Sequence, residues 1–195
     1  MKNKFGVKKE RSKAVLKKLP YENATDALAE FVDGGRVIGL TKGQFSLIDM
    51  INVMLEKIGP ADVVISTWSA GLRDSMALNE MRQSGRVRSV MIVLDRSYST
   101  RQSDYAVTVE KAFGKENIRT TNTHAKFVLL NGERNKICIR SSMNLNKNDR
   151  CENFDLDDDP DIFVFTWILS GRFLKKRFLM GLWKSARTLT RFLPG

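Results

Sequence analysis

Short apolar runs alternate with amphipathic stretches along most of this 195-residue chain, and their order limits the folds that it can adopt. Three apolar runs have the length of β-strands: residues 36–40, 62–66 and 87–94. Three stretches place apolar side chains at helical spacing: residues 44–57, 69–83 and about 101–113. Gly59-Pro60 and Ser84-Gly85 end the first two of these stretches. Alternating strands and helices predict an α/β sheet with helices on its faces.

The second half of the chain predicts a hairpin inside this sheet. Residues 125–130 and 136–141 are strand-like, and a turn near Asn131-Gly132 joins them. Three further segments are predicted after the hairpin: a loop at 155–161, a strand at 161–166 and a long basic, aromatic-rich helix at about 167–192. The predicted fold is therefore α/β, with a mixed, mostly parallel sheet that has helices on both faces.

The charge of the chain favours polyanionic partners. The formal net charge is +11 and the pI is near 9.8. Such a balance suits nucleic acid first and an anionic membrane surface second, although it also serves solubility alone. Residues 1–20 form a lysine-rich arm ahead of the predicted domain at 21–195. An arm of this kind is either a solvated segment or a segment that lies along phosphates.

The cysteine content indicates a reducing compartment. The two cysteines, Cys138 and Cys151, are not in a paired ligand spacing, and one histidine is too few for an ordinary zinc cluster. We therefore expect reduced thiols, no metal and no cofactor. The basic N-terminus lacks the apolar segment of a secretory signal, and the longest apolar stretch, residues 162–169, is too short to span a bilayer. We expect a cytoplasmic protein.

His124 is the most informative residue of the sequence. On an extended strand, His124 and Lys126 project from the same face, roughly 7 Å apart. An imidazole is largely neutral near pH 7 and can act as a nucleophile, and an ammonium group balances the charge of a phosphate. Ser142 and Asn144 follow the next predicted strand, where they can donate hydrogen bonds to phosphate oxygens. Beyond them, the carboxylate of Glu152 can fix the tautomer of an imidazole.

These residues resemble the signature of a known family. His124-x-Lys126 followed by Ser142-x-Asn144 is similar to the H-x-K…G-S-x-N motif of the phospholipase D superfamily, and Glu152 matches its downstream acidic segment. Residues 66–95 resemble the strand–helix–strand unit before that motif, and the likeness extends over about residues 36–185. Two positions depart from the motif: Asn131 replaces an aspartate, and Ser141 replaces a glycine.

The resemblance implies a mechanism and a quaternary structure. His124 would attack phosphorus to form a phosphohistidine without a metal ion. Lys126, Ser142 and Asn144 would hold the phosphate, and Glu152 would orient the histidine. Cleavage through a covalent nucleophile also needs an acid for the leaving oxygen, and this chain has no second histidine. Family members with one motif per chain share one site between two subunits, so we predict a homodimer.

The substrate is predicted from charge. The cations of the last helix would neutralise backbone phosphates without reading sequence, so we expect a nuclease that acts on DNA or RNA. Substrate contacts are predicted for Ser66, Trp68, Ser141, Lys175 and Lys176. Trp68 is a candidate for stacking a base in a single strand and equally a packing residue.

Two other functions remain open. The aromatic and basic side chains of the last helix are also typical of an interfacial membrane helix, which would suit a lipid hydrolase. Alternatively, the chain is a phospholipase D-like scaffold that grips nucleic acid or a protein without cutting. Asn131 and Ser141 are the residues that keep this second alternative open.

Overall fold

A mixed β-sheet organises the residues that the computed structural model describes, which are 14–16 and 21–171. Eight strands make up this sheet in the described part: β1 Ala14–Leu16, β2 Arg36–Thr41, β3 Ala61–Thr67, β4 Val87–Asp95, β5 Ile118–Thr121, β6 Phe127–Asn131, β7 Lys136–Ser141 and β8 Glu152–Asp158. Their order across the sheet is β1-β2-β8-β7-β6-β3-β4-β5. Strands β3, β4 and β6 carry long apolar runs and occupy the interior of the sheet, where both faces are covered.

The direction of the strands corrects part of the predicted fold. The mixed sheet is confirmed, but the expectation of mostly parallel pairing is wrong, because four of the seven strand pairs are antiparallel. The cause is local. The chain returns directly from β6 to β7 and from β7 to β8, and short connections of this kind can join only antiparallel neighbours. The predicted hairpin around Asn131 is therefore confirmed.

Helices cover both faces of the sheet, as predicted. The described helices are α1 Ala24–Ala27, α2 Leu47–Ile58, α3 Leu72–Gln83, α4 Tyr98–Arg101, α5 Ser103–Phe113 and α6 Pro160–Gly171, with a 3₁₀ turn at Lys115–Asn117. Helices α2, α3 and α5 contribute to the larger core on one face. On the other face, Phe163 and Trp167 of α6 pack on apolar side chains of the central strands, among them Met91 and Leu129. Ser46 and Asp49 form a capping box that begins α2.

An acidic strand replaces the loop predicted at 155–161. Residues Glu152–Asp158 form β8, which pairs with both β2 and β7. Phe154 and Leu156 are buried on one face of this strand, whereas Asp155 and Asp157 project from the other. Arg36 and Arg140 pair with both of these carboxylates. The acidic residues therefore alternate with apolar ones at strand spacing, and charges from distant strands neutralise them.

A helix replaces the strand predicted at 161–166, which lies within α6. The side chain of Asp159 accepts hydrogen bonds from the backbone N–H groups of Asp161 and Ile162. Pro160 occupies the first helical position, where its missing N–H and fixed φ cost nothing. An apolar run alone does not distinguish a buried strand from a buried helix. Here the hydrogen bonds to the side chain of Asp159 favour the helix.

The two termini lie largely beyond the described residues. In the predicted basic arm, Ala14–Leu16 pairs in parallel with β2 and forms an edge strand that the sequence analysis does not predict. Most of the helix predicted at 167–192, including Lys175 and Lys176, lies outside the described part of the chain. Within that described part, no helix combines the length and the apolar character needed to cross a membrane.

Candidate active site

The strand order brings the predicted site residues to one edge of the sheet. Strand β6 runs antiparallel to both β3 and β7, and β7 runs antiparallel to β8. The end of β3, the start of β6, the end of β7 and the start of β8 therefore meet at the same edge. Trp68 follows β3, His124 and Lys126 precede β6, and Ser142 follows β7. Residues that flank these strand ends thus converge on one surface, together with Glu152 at the start of β8, and we call this surface the histidine edge.

His124 and Lys126 lie in the extended segment just before β6 and not within the strand, which begins at Phe127. The imidazole is exposed. Nζ of Lys126 lies 3.3 Å from Nδ1 of His124 and donates to the carbonyl oxygen of His124 at 3.2 Å. Burial lowers the pKa of the Lys126 ammonium, and the negative charge of Glu152 opposes that shift. The lysine and the imidazole are therefore in contact before any substrate binds.

Hydrogen bonds on both sides hold the segment that carries His124. The hydroxyl of Ser66 is buried and donates to the carbonyl oxygen of Ala125 at 2.8 Å. On the other side, the backbone N–H of Thr123 donates to Oδ2 of Asp95 at 3.2 Å. Ser66, predicted to contact substrate, thus contacts the backbone next to His124 in this structure. Its hydroxyl positions the imidazole indirectly.

Glu152 is bonded to its own chain's polar side chains. The hydroxyl of Ser142 donates to Oε2 of Glu152 and accepts a hydrogen bond from the backbone N–H of Asn153 at 3.0 Å. The side-chain amide of Asn148 donates to Oε1 at 3.1 Å. Within the described residues, His124 is not among the hydrogen-bond partners of Glu152. The predicted orientation of the histidine by Glu152 is therefore not made inside one chain.

Ser141 and Asn144 shape the turn after β7. The hydroxyl of Ser141 donates to the carbonyl oxygen of Asn153 at 2.6 Å and accepts from the backbone N–H of Met143 at 3.0 Å, so it is engaged with backbone groups. Oδ1 of Asn144 accepts from the backbone N–H of Trp68 at 3.2 Å. In the described part of the chain, Nδ2 of Asn144 has no partner. That nitrogen is free to donate to a phosphate oxygen.

The structure adds residues to the site that the sequence motif does not contain. The guanidinium of Arg101 lies 3.6 Å from the centre of the Trp68 ring, and the rings of Trp68 and His124 are 5.8 Å apart between centroids. Asn148 donates to Glu152, and Arg150 lines a cavity together with these two residues, Arg101 and Trp68. Arg101 follows the end of β4 and reaches the site because β4 runs parallel to β3. That pairing is non-local, so no local sequence pattern signals the residue.

Comparison with known proteins rests on structure alone. No protein-family model matches this sequence, and no curated protein matches it significantly. Part of polyphosphate kinase from Porphyromonas gingivalis matches with a TM-score of 0.51 and 16% identity, covering 71% of this chain and 26% of the kinase. The chain thus spans about a quarter of the kinase and has the fold of that part.

Two other solved structures match with lower scores. The phospholipase D family member Nuc from Salmonella typhimurium has a TM-score of 0.46 and 14% identity, with 78% of this chain and 94% of Nuc covered. The archaeal chromatin protein TrmBL2 has a TM-score of 0.43 and 8% identity, with 69% of this chain and 50% of that protein covered.

Asn131, where the motif of the sequence analysis has an aspartate, lies away from the histidine edge, at the opposite end of β6 from His124. Its side-chain amide donates to Oδ2 of Asp62 at 3.3 Å, and Arg88 pairs with the same carboxylate at 2.9 Å. The negative charge at this end of β6 is therefore that of Asp62.

Proposed function

We propose that this protein is a phosphodiesterase that cleaves the backbone of nucleic acid through a phosphohistidine on His124. The observation that carries the proposal is the contact between the exposed imidazole of His124 and the half-buried ammonium of Lys126, 3.3 Å apart, at the same sheet edge as the unpartnered amide nitrogen of Asn144. An imidazole supplies the nucleophile, and an ammonium and an amide N–H meet the charge on the phosphoryl oxygens. Each of these groups lies on a strand end that the sheet holds in place.

The reaction proceeds by two displacements at phosphorus. In the first, a ring nitrogen of His124 attacks the phosphorus, the P–N bond forms, and the P–O bond to the leaving alcohol breaks. An acid gives that oxygen a proton as it departs. In the second, the conjugate base of the same acid takes a proton from water, the hydroxide attacks phosphorus, and the P–N bond breaks. The phosphate product and free His124 result.

A second copy of the chain supplies the acid. The chain contains one histidine, and the ammonium of Lys126 is required on the phosphate. Two copies related by a twofold axis would place a second imidazole across one shared site. The same arrangement would bring Glu152 of one copy to the histidine of the other, which agrees with the absence of a bond between Glu152 and His124 within the described chain. The complete site is thus the homodimer.

Nucleic acid is the substrate that the charge favours. The formal net charge of +11 attracts a polyanion. At the histidine edge, Arg101 and Arg150 line one cavity, and Lys126 lies against His124. Contacts of these cations are made to phosphate groups, which are common to every sequence. We therefore expect binding that is independent of base sequence and weakens steeply with salt.

The test is cleavage of single- and double-stranded DNA and of RNA in the presence of EDTA. We expect the wild-type protein to cut at least one of them, and His124→Ala to lower the rate by at least about a thousandfold. Lys115→Ala is the matched control, because Lys115 is a surface cation whose side chain is 88% exposed. Equal cutting by wild type and His124→Ala would show that another activity is responsible and would contradict the proposal.

A binding protein without catalysis is the second candidate, and one observation favours it. Within the described residues Glu152 is bonded to Ser142 and Asn148 and not to His124, so a chain that stays monomeric lacks a carboxylate for its histidine. The same assay separates the two functions. Salt-sensitive binding of nucleic acid by a monomer that never cuts would establish the scaffold in place of the enzyme.

A further inference from the structure

Arg101 presents an unused hydrogen-bonding edge at the site. Its guanidinium is stacked on Trp68, Nη2 donates to the carbonyl oxygen of Trp68 at 3.0 Å, and Nε donates to the hydroxyl of Ser97 at 2.9 Å. Within the described residues, Nη1 has no partner, and Asp95 acts on this group only through its charge. Stacking and two hydrogen bonds fix the plane of the guanidinium, so its free edge is already oriented for an anion.

A cavity of about 270 Å³ opens next to this edge and joins it to the catalytic residues. Its lining includes Arg101 and Arg150 together with Asn144 and Glu152, so it is continuous with the proposed phosphate site. Two further lining residues, Gln102 and Asn146, carry side-chain amides.

The lining therefore combines two kinds of recognition: the guanidinium groups of Arg101 and Arg150 for a phosphate, and the side-chain amides of Gln102 and Asn146 for hydroxyl or amino groups. A nucleotide unit carries both, since its phosphate is anionic and its sugar or base has N–H or O–H groups. An isolated phosphodiester between simple alcohols carries only the first.

We propose that this cavity is a subsite for the nucleotide that flanks the scissile phosphodiester, with Arg101 binding that nucleotide's phosphate. The inference rests on the proposed function and deepens it, because it requires a substrate with a second phosphate beside the one that is cut. Trp68 is then a positioning residue. Arg101 covers one face of its ring, so on this face the ring orients the guanidinium and is not available to stack a base.

The test compares two small substrates that differ only in flanking phosphates. One is thymidylyl-thymidine, which has a single phosphodiester; the other is the same dinucleotide phosphorylated at both ends. We expect the wild-type protein to bind and cleave the second about tenfold to a hundredfold better, the usual effect of a charge-assisted hydrogen bond. Arg101→Gln should bring this preference close to one. Arg134→Gln removes an exposed cation away from the site and should keep the wild-type preference.

Binding by calorimetry and cleavage are measured separately so that two failures can be told apart. Cleavage of neither substrate, combined with a binding preference that Arg101→Gln removes, would reject the phosphodiesterase and retain the subsite. A wild-type protein without any preference would overturn the subsite, whatever the variants do. Arg101→Lys is a second variant, for the case that Arg101→Gln does not fold. It keeps the charge but loses the planar stack on Trp68, so we expect an intermediate preference. A preference equal to that of wild type in Arg101→Gln would also overturn the inference.

Discussion

Nζ of Lys126 lies 3.3 Å from Nδ1 of His124, which assigns the proton of the neutral imidazole to the other ring nitrogen. An ammonium has three donors and no acceptor, so Nδ1 must accept and Nε2 must carry the hydrogen. In this state Nε2 carries a hydrogen and cannot attack phosphorus. Attack by Nε2 requires the opposite tautomer, in which Lys126 has moved from Nδ1 to the phosphate and a carboxylate accepts a hydrogen bond from Nδ1–H, as the second copy's Glu152 would.

Lys126 should make the affinity for nucleic acid fall at alkaline pH. Burial lowers the pKa of this ammonium below its ordinary value, so it loses its proton at a lower pH than an exposed lysine. We therefore expect the affinity of His124→Ala protein for an oligonucleotide to fall about tenfold to a hundredfold as the pH rises through this lowered pKa. In Lys126→Arg the fall should vanish, because a guanidinium stays charged above pH 12.

Fluorescence anisotropy from pH 7 to pH 11 measures both affinities. Lys115→Arg, in the same His124→Ala background, is the control and should retain the alkaline fall, because this exposed lysine is not at the site. An alkaline fall that persists in Lys126→Arg would assign the titration to another group.

Mixed dimers test whether two chains share one site. When equal amounts of wild type and His124→Ala are unfolded together and refolded, about half of the dimers contain one chain of each kind and about a quarter are wild type. A shared site needs both histidines, so total cleavage should fall to about a quarter of that of the same amount of wild-type protein. Independent sites would leave about half. Sedimentation of the mixture establishes that dimers have formed.

Local pattern was sufficient for some parts of this fold. Strands β3 and β4 are buried apolar runs, and the capping box and periodicity of α2 specify a helix without help from the rest of the chain. The strand β8 could not be found this way. In the sequence, its acidic residues are typical of a solvated loop. In the fold they pair with Arg36 and Arg140, which lie far away in sequence.

The residues of the candidate site fall into the same two groups: those that local sequence pattern predicts and those that depend on tertiary pairing. The motif was sufficient to bring His124, Lys126 and Ser142 to one edge of the sheet, because their spacing follows from consecutive strands. Arg101 depends on β4 lying beside β3, and the bond between Glu152 and Ser142 depends on the pairing of β7 with β8. Tertiary pairings of this kind leave no periodic trace in the sequence.

Through Asp157, the free energy of unfolding depends on the charge of Arg140. Burial raises the pKa of this carboxyl, and Arg140 and Arg36 oppose that shift. A raised pKa in the folded state means that protonation favours folding, so this contribution is present at low pH and lost as the pH rises through the folded-state pKa. Arg140→Met removes one opposing charge and should cost about 1–3 kcal/mol at pH 7 and less at pH 4.

Urea unfolding at the two pH values measures this cost. Asp157→Asn in the Arg140→Met protein should recover part of the stability at pH 7, since the buried carboxylate that Arg36 alone then pairs with is gone. Arg134→Met is the control for loss of an exposed arginine and should change stability by less than about 0.5 kcal/mol at either pH. An equal cost of Arg140→Met at both values would mean that packing, and not the charge of Asp157, sets the loss.

Gly39 and Phe154 set the contact between β2 and β8. The two residues are directly opposite in the antiparallel register, and a Cβ added at Gly39 would lie 2.5 Å from Cζ of the buried Phe154 ring. Gly39→Ala must therefore push the ring away, and we expect it to lower the free energy of unfolding by about 1–3 kcal/mol. Phe154→Leu removes the clash, so the double variant should be more stable than the sum of the two single changes. A double-mutant cycle from urea unfolding measures this coupling. Strict additivity of the two single changes would mean that the Phe154 ring does not pack on Gly39. The close contact between β2 and β8 would then not depend on this pair of residues.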